Sequence, residues 1–87
     1  MSWKIVYTNQ AKKDAKKLAA AGLRDRTLRL LDILKNDPFQ SPPAFEKLRG
    51  DLTGSYSRRI NIQHRIVYQV HTEENVIKIL RMWTHYE

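Results

Sequence analysis

The stretch Tyr56–Tyr68, Y-S-R-R-I-N-I-Q-H-R-I-V-Y, decides how this chain folds. On either side of Asn61–Gln63, β-branched and aromatic residues alternate with polar ones, which reads as two strands joined by a tight connection. In the first run, Ser55 to Asn61, alternation puts Tyr56, Arg58 and Ile60 on one face and Ser57, Arg59 and Asn61 on the other. In the second run, Arg65 to Val70, the residues Ile66, Tyr68 and Val70 oppose Arg65, Val67 and Gln69. The pair of strands thus carries a ribbon of guanidinium groups. Each planar fork can hold a phosphate bidentately, so the ribbon suits a polyanion. With Ile66 and Tyr68 turned to a core, Arg65 is left on the open side of the sheet.

Upstream, Trp3–Tyr7 alternates as a first strand, and Thr8 or Asn9 can cap the helix that follows. Ala11, Ala15, Leu18 and Ala19 recur at helical spacing while Lys12, Lys13, Lys16 and Lys17 fill the wet face, and Gly22 ends the helix. A second helix begins near Arg24 with Leu23, Thr27, Leu30, Leu31 and Leu34 on one stripe, and Asn36-Asp37-Pro38 stops it. Pro38, Pro42 and Pro43 punctuate the loop to Phe45, and Asp51 to Gly54 reads as a turn. After a polar turn at His71–Asn75, Val76 to Trp83 is the last strand. The order β-α-α-β-β-β predicts an α+β fold in one domain spanning residues 1–87. Its expected architecture is an antiparallel sheet with a helical hairpin packed on one face.

Composition narrows the partners. The chain has 87 residues and a net charge of +7, from 16 Lys and Arg against 9 Asp and Glu, which favours nucleic acid or an acidic protein. Its 41% hydrophobic content is ordinary for a folded globule and argues against disorder. The absence of cysteine excludes disulfides, thiolate metal sites and cysteine nucleophiles. No apolar run approaches the ~20 residues of a membrane span and no signal-peptide core opens the chain, so the expected location is cytoplasmic. No metal-ligand cluster, glycine-rich phosphate loop or serine triad pattern is present.

The remaining chemistry is acid–base. Cleaving RNA without a metal needs a base for the ribose 2′-OH, cations for the charged transition state and an acid for the departing 5′ oxygen. Glu46 upstream of the ribbon is a candidate for the first and His85 near the end of the chain for the last, with His64 as a further acid candidate. The bland readings are a solvated Glu46 beside Lys47, a hydrogen-bonded turn residue at His64 and a frayed terminus at His85-Tyr86-Glu87.

The run E-K-L-R-G-D-L-T-G-S-Y-S-R-R-I-N-I-Q-H-R-I-V-Y from Glu46, followed by a last strand ending in His85-Tyr86, resembles the YoeB/Txe family of toxin–antitoxin endoribonucleases, within the wider RelE superfamily. The resemblance covers Glu46 to Tyr86 in spacing and residue type. Before Glu46 it rests on element order and the N-D-P-F loop entry. It implies a RelE-like, microbial-ribonuclease-like fold. Residue by residue it implies Glu46 as general base, Arg65 as transition-state clamp, His85 as general acid and Tyr86 as the tyrosine holding the substrate nucleotide. Arg59 then lines the phosphate path, and Arg49 stands where relatives carry lysine. Apart from the resemblance, Arg58 is a further phosphate-binding candidate, although it faces away from Arg59 and reads as structural or peripheral to the site. There are two departures: the region of the His71–Asn75 turn is about two residues longer, and the chain continues to Glu87.

The implied activity is metal- and cofactor-independent cleavage of mRNA in the ribosomal A site. The implied partners are mRNA, the ribosome and a cognate acidic antitoxin, with operator DNA reached only through the antitoxin complex and a homodimer as a further candidate assembly. Two other readings keep the charge argument. One is a ribosome- or RNA-binding module that blocks translation without cutting; the other is a component of a DNA-binding autorepressor.

Overall fold

Lys4–Tyr7 forms β1, and Thr8 turns the chain into α1 (Asn9–Ala20). The threonine hydroxyl accepts the Ala11 N–H at 3.0 Å, satisfying one of the donors that a helix start leaves open. Gly22 ends the helix with a positive φ of 77°, while Gly22 N–H bonds Ala19 O at 3.1 Å and Leu23 N–H bonds Leu18 O at 2.9 Å. That pairing is a glycine-capped helix end, and it reverses the chain directly into α2 (Arg24–Asn36). Four strands follow: β2 (Glu46–Lys47), β3 (Ser55–Arg59), β4 (Arg65–His71) and β5 (Val76–Arg81). This computed structural model describes residues 3–42, 44–50 and 53–83.

The hairpin lies on one face of a five-stranded sheet ordered β1-β5-β4-β3-β2. Ala11 and Leu18 from α1 and Leu30, Leu31 and Leu34 from α2 form the core with Ile66, Tyr68, Ile77, Ile79 and Met82. The stripe expected for α2 is the one that is buried. Each such aliphatic side chain contributes about 1.5–3 kcal/mol by leaving water. In α1 the pattern is less simple, because Asp14 is also fully buried while Ala19 is exposed.

The α+β class and the one-sided hairpin are as expected, and two features of the sheet are not. First, β1 pairs with β5 in parallel, Ile5 opposite Ile77, so the sheet is mixed rather than antiparallel. Alternation reports which side chains share a face, not the direction of a strand whose partner lies some seventy residues away, so it was silent on this point. Second, β2 is a two-residue strand at the sheet edge, with Glu46 opposite Ser57 and Lys47 opposite Tyr56. Two residues are too short to show periodicity, so this strand leaves no pattern in the sequence.

An irregularity in the β4–β5 pairing matters more for the site. Tyr68 faces Ile79, yet Val67 faces Arg81, so Leu80 is an extra residue on β5. Without it, Arg81 would share the core side with Ile77 and Ile79. The bulge instead turns Arg81 to the open face and Met82 into the core. The Thr8 hydroxyl donates to Leu80 O at 2.8 Å, so the residue that caps α1 also fixes the bulge.

Candidate active site

The open face of the sheet gathers the chemistry. Register places Glu46, Ser57, Val67 and Arg81 in one row across β2, β3, β4 and β5, with Arg59 and Arg65 forming the next row. Strands lie about 4.8 Å apart, so the first row spans roughly 14 Å. From the neighbouring row Arg65 reaches back diagonally: its Nη1 donates to Glu46 Oε1 at 2.9 Å and makes a longer contact, 3.5 Å, to Ser57 Oγ. Glu46 and Arg65, nineteen positions apart in the chain, are thus one ion pair.

The pair is wet on one side, with side-chain exposures of 20% for Arg65 and 60% for Glu46. A partly exposed pair of this kind adds only ~0–1 kcal/mol to stability. Arg65 also faces Arg59 directly across the β3–β4 ladder. Like charges so placed are unfavourable, and an anion between them relieves the repulsion. Arg59 is exposed two residues to one side of Ser57, while Arg49 is exposed beyond Leu48 on the other. The two arginines therefore flank Glu46 at opposite ends of the β2–β3 edge.

Arg58, a neighbour of Arg59 in sequence, has another occupation. It is 1% exposed, on the helix side of the sheet. Its Nε donates to the Tyr68 hydroxyl at 3.1 Å, its Nη2 donates to Pro38 O at 3.0 Å, and its guanidinium carbon sits 4.9 Å from the Phe45 ring centroid. Burial removes it from the reach of an external phosphate, so the expectation of phosphate binding at Arg58 gives way to a structural role. That role serves the site. Phe39, Phe45 and Tyr56 meet edge-on or tilted at 5.4–6.1 Å, and Arg58 locks Phe45, the residue before Glu46, onto this cluster. Burial raises the Tyr68 pKa above the usual tyrosine value, with Arg58 opposing the shift. The hydroxyl therefore stays protonated and donates to Pro38 O at 3.3 Å.

His64 occupies the β3–β4 turn. The Asn61 side-chain oxygen accepts the backbone N–H groups of Gln63 and His64, both at 2.8 Å, and His64 O accepts from Ile60 N–H at 2.8 Å. The imidazole Nδ1 bonds Trp83 O and the ring stacks on the Trp83 indole, centroids 4.0 Å apart. His85 and Tyr86 lie outside the described residues. Arg81 and Ser57 are members of the face that sequence reading did not single out. Arg81 was hidden by the bulge, and Ser57 carried no signal beyond its strand parity. An apolar hollow of about 190 Å³ is lined by Tyr7, Leu18, Leu28 and Leu31 on the helix side, away from Glu46. A polymer lying across an open sheet needs no enclosed cavity. Among the described residues no cluster of three or more His, Cys, Asp or Glu side chains suits a metal ion, and no helix is long and apolar enough to cross a membrane.

A mixed sheet with a helical hairpin on one face and a glutamate–arginine pair on the other defines a small RelE-like α+β protein. Its backbone superposes on a YoeB/ParE toxin from Agrobacterium tumefaciens with a TM-score of 0.86, at 29% identity over 95% of this chain and 99% of that one. A chain of the heterotetrameric YoeB–YefM complex from Staphylococcus aureus gives 0.80 at 34% identity, covering 99% of this chain and 100% of that one. The toxin YoeB of Mycobacterium bovis is 38% identical over 61 residues, 70% of this chain and 69% of its own length. Residues 4–86 match the YoeB-like toxins of bacterial type II toxin–antitoxin systems. The chain belongs to that family.

Proposed function

We propose that this toxin is an endoribonuclease that cuts mRNA in the ribosomal A site without a metal ion. The observation that carries the reading is the Glu46–Arg65 pair on the open face. It contributes little to the fold, yet it sets a carboxylate acceptor beside a guanidinium donor. In the proposed reaction Glu46 takes the proton of the ribose 2′-OH. The 2′ oxygen attacks phosphorus, while Arg65 turns its donors from Glu46 to the non-bridging oxygens and Arg59 adds positive charge alongside. His85 gives a proton to the departing 5′ oxygen, and Tyr86 holds the substrate nucleotide. The products are a 2′,3′-cyclic phosphate and a 5′-hydroxyl.

An ion pair at rest also explains how one surface serves two partners. A phosphate displaces the carboxylate from Arg65, and so does an acidic peptide. The complex formed by the Staphylococcus aureus relative supports a cognate antitoxin here too, folding an acidic segment onto the basic sheet. A carboxylate facing phosphate is unfavourable for simple binding, which weighs against a toxin that merely blocks the ribosome. The test is to incubate wild type, Glu46→Gln and Arg65→Ala with programmed ribosomes and with naked message. Cleavage by wild type alone supports the reading; arrest of translation without cut message removes it.

A further inference from the structure

The end of β5 and the chain leaving it are fastened at Leu80, Met82 and Trp83 by groups that the reaction itself does not use. Leu80 O takes the Thr8 hydroxyl, and Met82 N–H donates to Asp14 Oδ2 at 3.0 Å. Trp83 O and its indole are both held by His64. Asp14 is fully buried in a helix otherwise edged with lysines, and its other carboxyl oxygen accepts from Gln10 Nε2 at 2.9 Å. A carboxyl group is a costly choice for a core position where Ala or Leu would pack, since every oxygen taken from water must be matched. Here it is matched to the first backbone N–H after the strand ends. His64 is the residue immediately before Arg65, so its grip on Trp83 ties the chain leaving β5 to the strand end that carries the transition-state cation.

We infer that Asp14 and His64 are positioning residues that seat the tail bearing the general acid, so that His85 meets the phosphate held by Arg65. This rests on the reading of His85 as the acid. One residue, Thr84, separates Trp83 from His85, so covalent geometry alone keeps their Cα atoms within about 7 Å of each other. Released at Met82 and Trp83, the tail loses its fixed point of attachment, and a misplacement of about 1 Å is enough to cost ~10²-fold in rate. Neither side chain exchanges a proton with substrate.

The test uses single-turnover cleavage on programmed ribosomes with two messages, one ordinary and one whose bridging 5′ oxygen at the cut site is sulfur. A thiolate leaves without being protonated, so the sulfur message bypasses the acid but still needs base and clamp. His64→Phe keeps a ring on Trp83 and removes the donor; Asp14→Leu removes the acceptor, and Asp14→Asn retains it. His64→Phe and Asp14→Leu are expected to lose ~10–100-fold on the ordinary message and to return to within about threefold of wild type on the sulfur message. Asp14→Asn should stay within a few-fold of wild type on both. Equal losses on the two messages, or no loss on the ordinary one, overturn the positioning role. Melting curves accompany each variant, and should Asp14→Leu fail to fold, His64→Phe alone decides. His85→Gln serves as the reference. If the sulfur message does not restore it, the acid assignment itself fails; if it is restored and His64→Phe is not, only the positioning role falls.

Discussion

Arg58 and Arg65 come from the same arginine ribbon and lie on the two sides of one sheet, where they do opposite things. Arg58 faces the helices, hydrogen-bonded to Tyr68 and Pro38 and stacked near Phe45, and holds together the aromatic cluster that leads into β2. Arg65 faces outward with its donors on an exposed carboxylate that contributes almost nothing to stability. A guanidinium fork is equally good at satisfying neutral buried acceptors and at gripping a mobile anion. Strand parity decides which. The lesson is that a run of arginines is not a binding surface until alternate members have been assigned to core and solvent.

Changes to the Glu46–Arg65 pair should break activity and spare the fold, and changes at Arg58 should do the reverse. The largest expected effect is at Glu46, where Glu46→Gln removes the base and should lower cleavage by about 10²–10⁴-fold. Its melting temperature should move by less than the equivalent of about 1 kcal/mol. Arg65→Ala should cost ~10²–10³-fold with a similarly small thermal change, comparable to losing one preorganised donor to a developing anion. Arg65→Lys should recover only part, because a point charge replaces a fork. On the other side, Arg58→Leu should lower stability by about 2–4 kcal/mol. At roughly 4–8 °C of melting temperature per kcal/mol for a chain of this size, calorimetry will detect that easily. Activity measured well below the melting point should stay within a few-fold of wild type. An Arg58 variant of full stability but no activity would erase the distinction between the two faces.

Smaller effects sharpen the contrast. Burial raises the Tyr68 pKa above the ordinary tyrosine value, so with rising pH the unfolded chain releases that proton first. Stability is then fully present below about pH 10 and falls above it. Tyr68→Phe should cost about 1 kcal/mol at neutral pH through lost hydrogen bonds and remove that part of the alkaline fall. Arg59→Ala should leave melting unchanged and flatten the dependence of RNA binding on log salt by about one unit, the contribution of a single phosphate contact.

Much of this was legible in the sequence, for identifiable reasons. The helices were readable because Leu30, Leu31 and Leu34 recur at 3.6-residue spacing and Thr8 and Gly22 mark the ends of α1. The placement of Arg65 on the open face followed from parity with Ile66 and Tyr68. What escaped was set by pairing rather than by local pattern. The parallel partner of β1, the edge strand at Glu46–Lys47 and the extra residue at Leu80 leave no periodic trace. Arg81 on the open face was hidden for that reason, and Asp14 because a buried aspartate among lysines looks like part of a wet surface. His64 was visible as a candidate acid, but its attachment to Trp83 needed the β3–β4 turn and the end of β5 to be brought together.

The central claim is that Glu46 and Arg65 form a catalytic pair and not a stabilising one. The most direct measurement is chemical mapping of the ends of message cut on programmed ribosomes by wild type and by Glu46→Gln. The account predicts 2′,3′-cyclic phosphate and 5′-hydroxyl ends from wild type, with the Glu46→Gln protein folded and its yield reduced by at least about 10²-fold. Ends bearing 3′-hydroxyl and 5′-phosphate, or undiminished cleavage by folded Glu46→Gln, would contradict it.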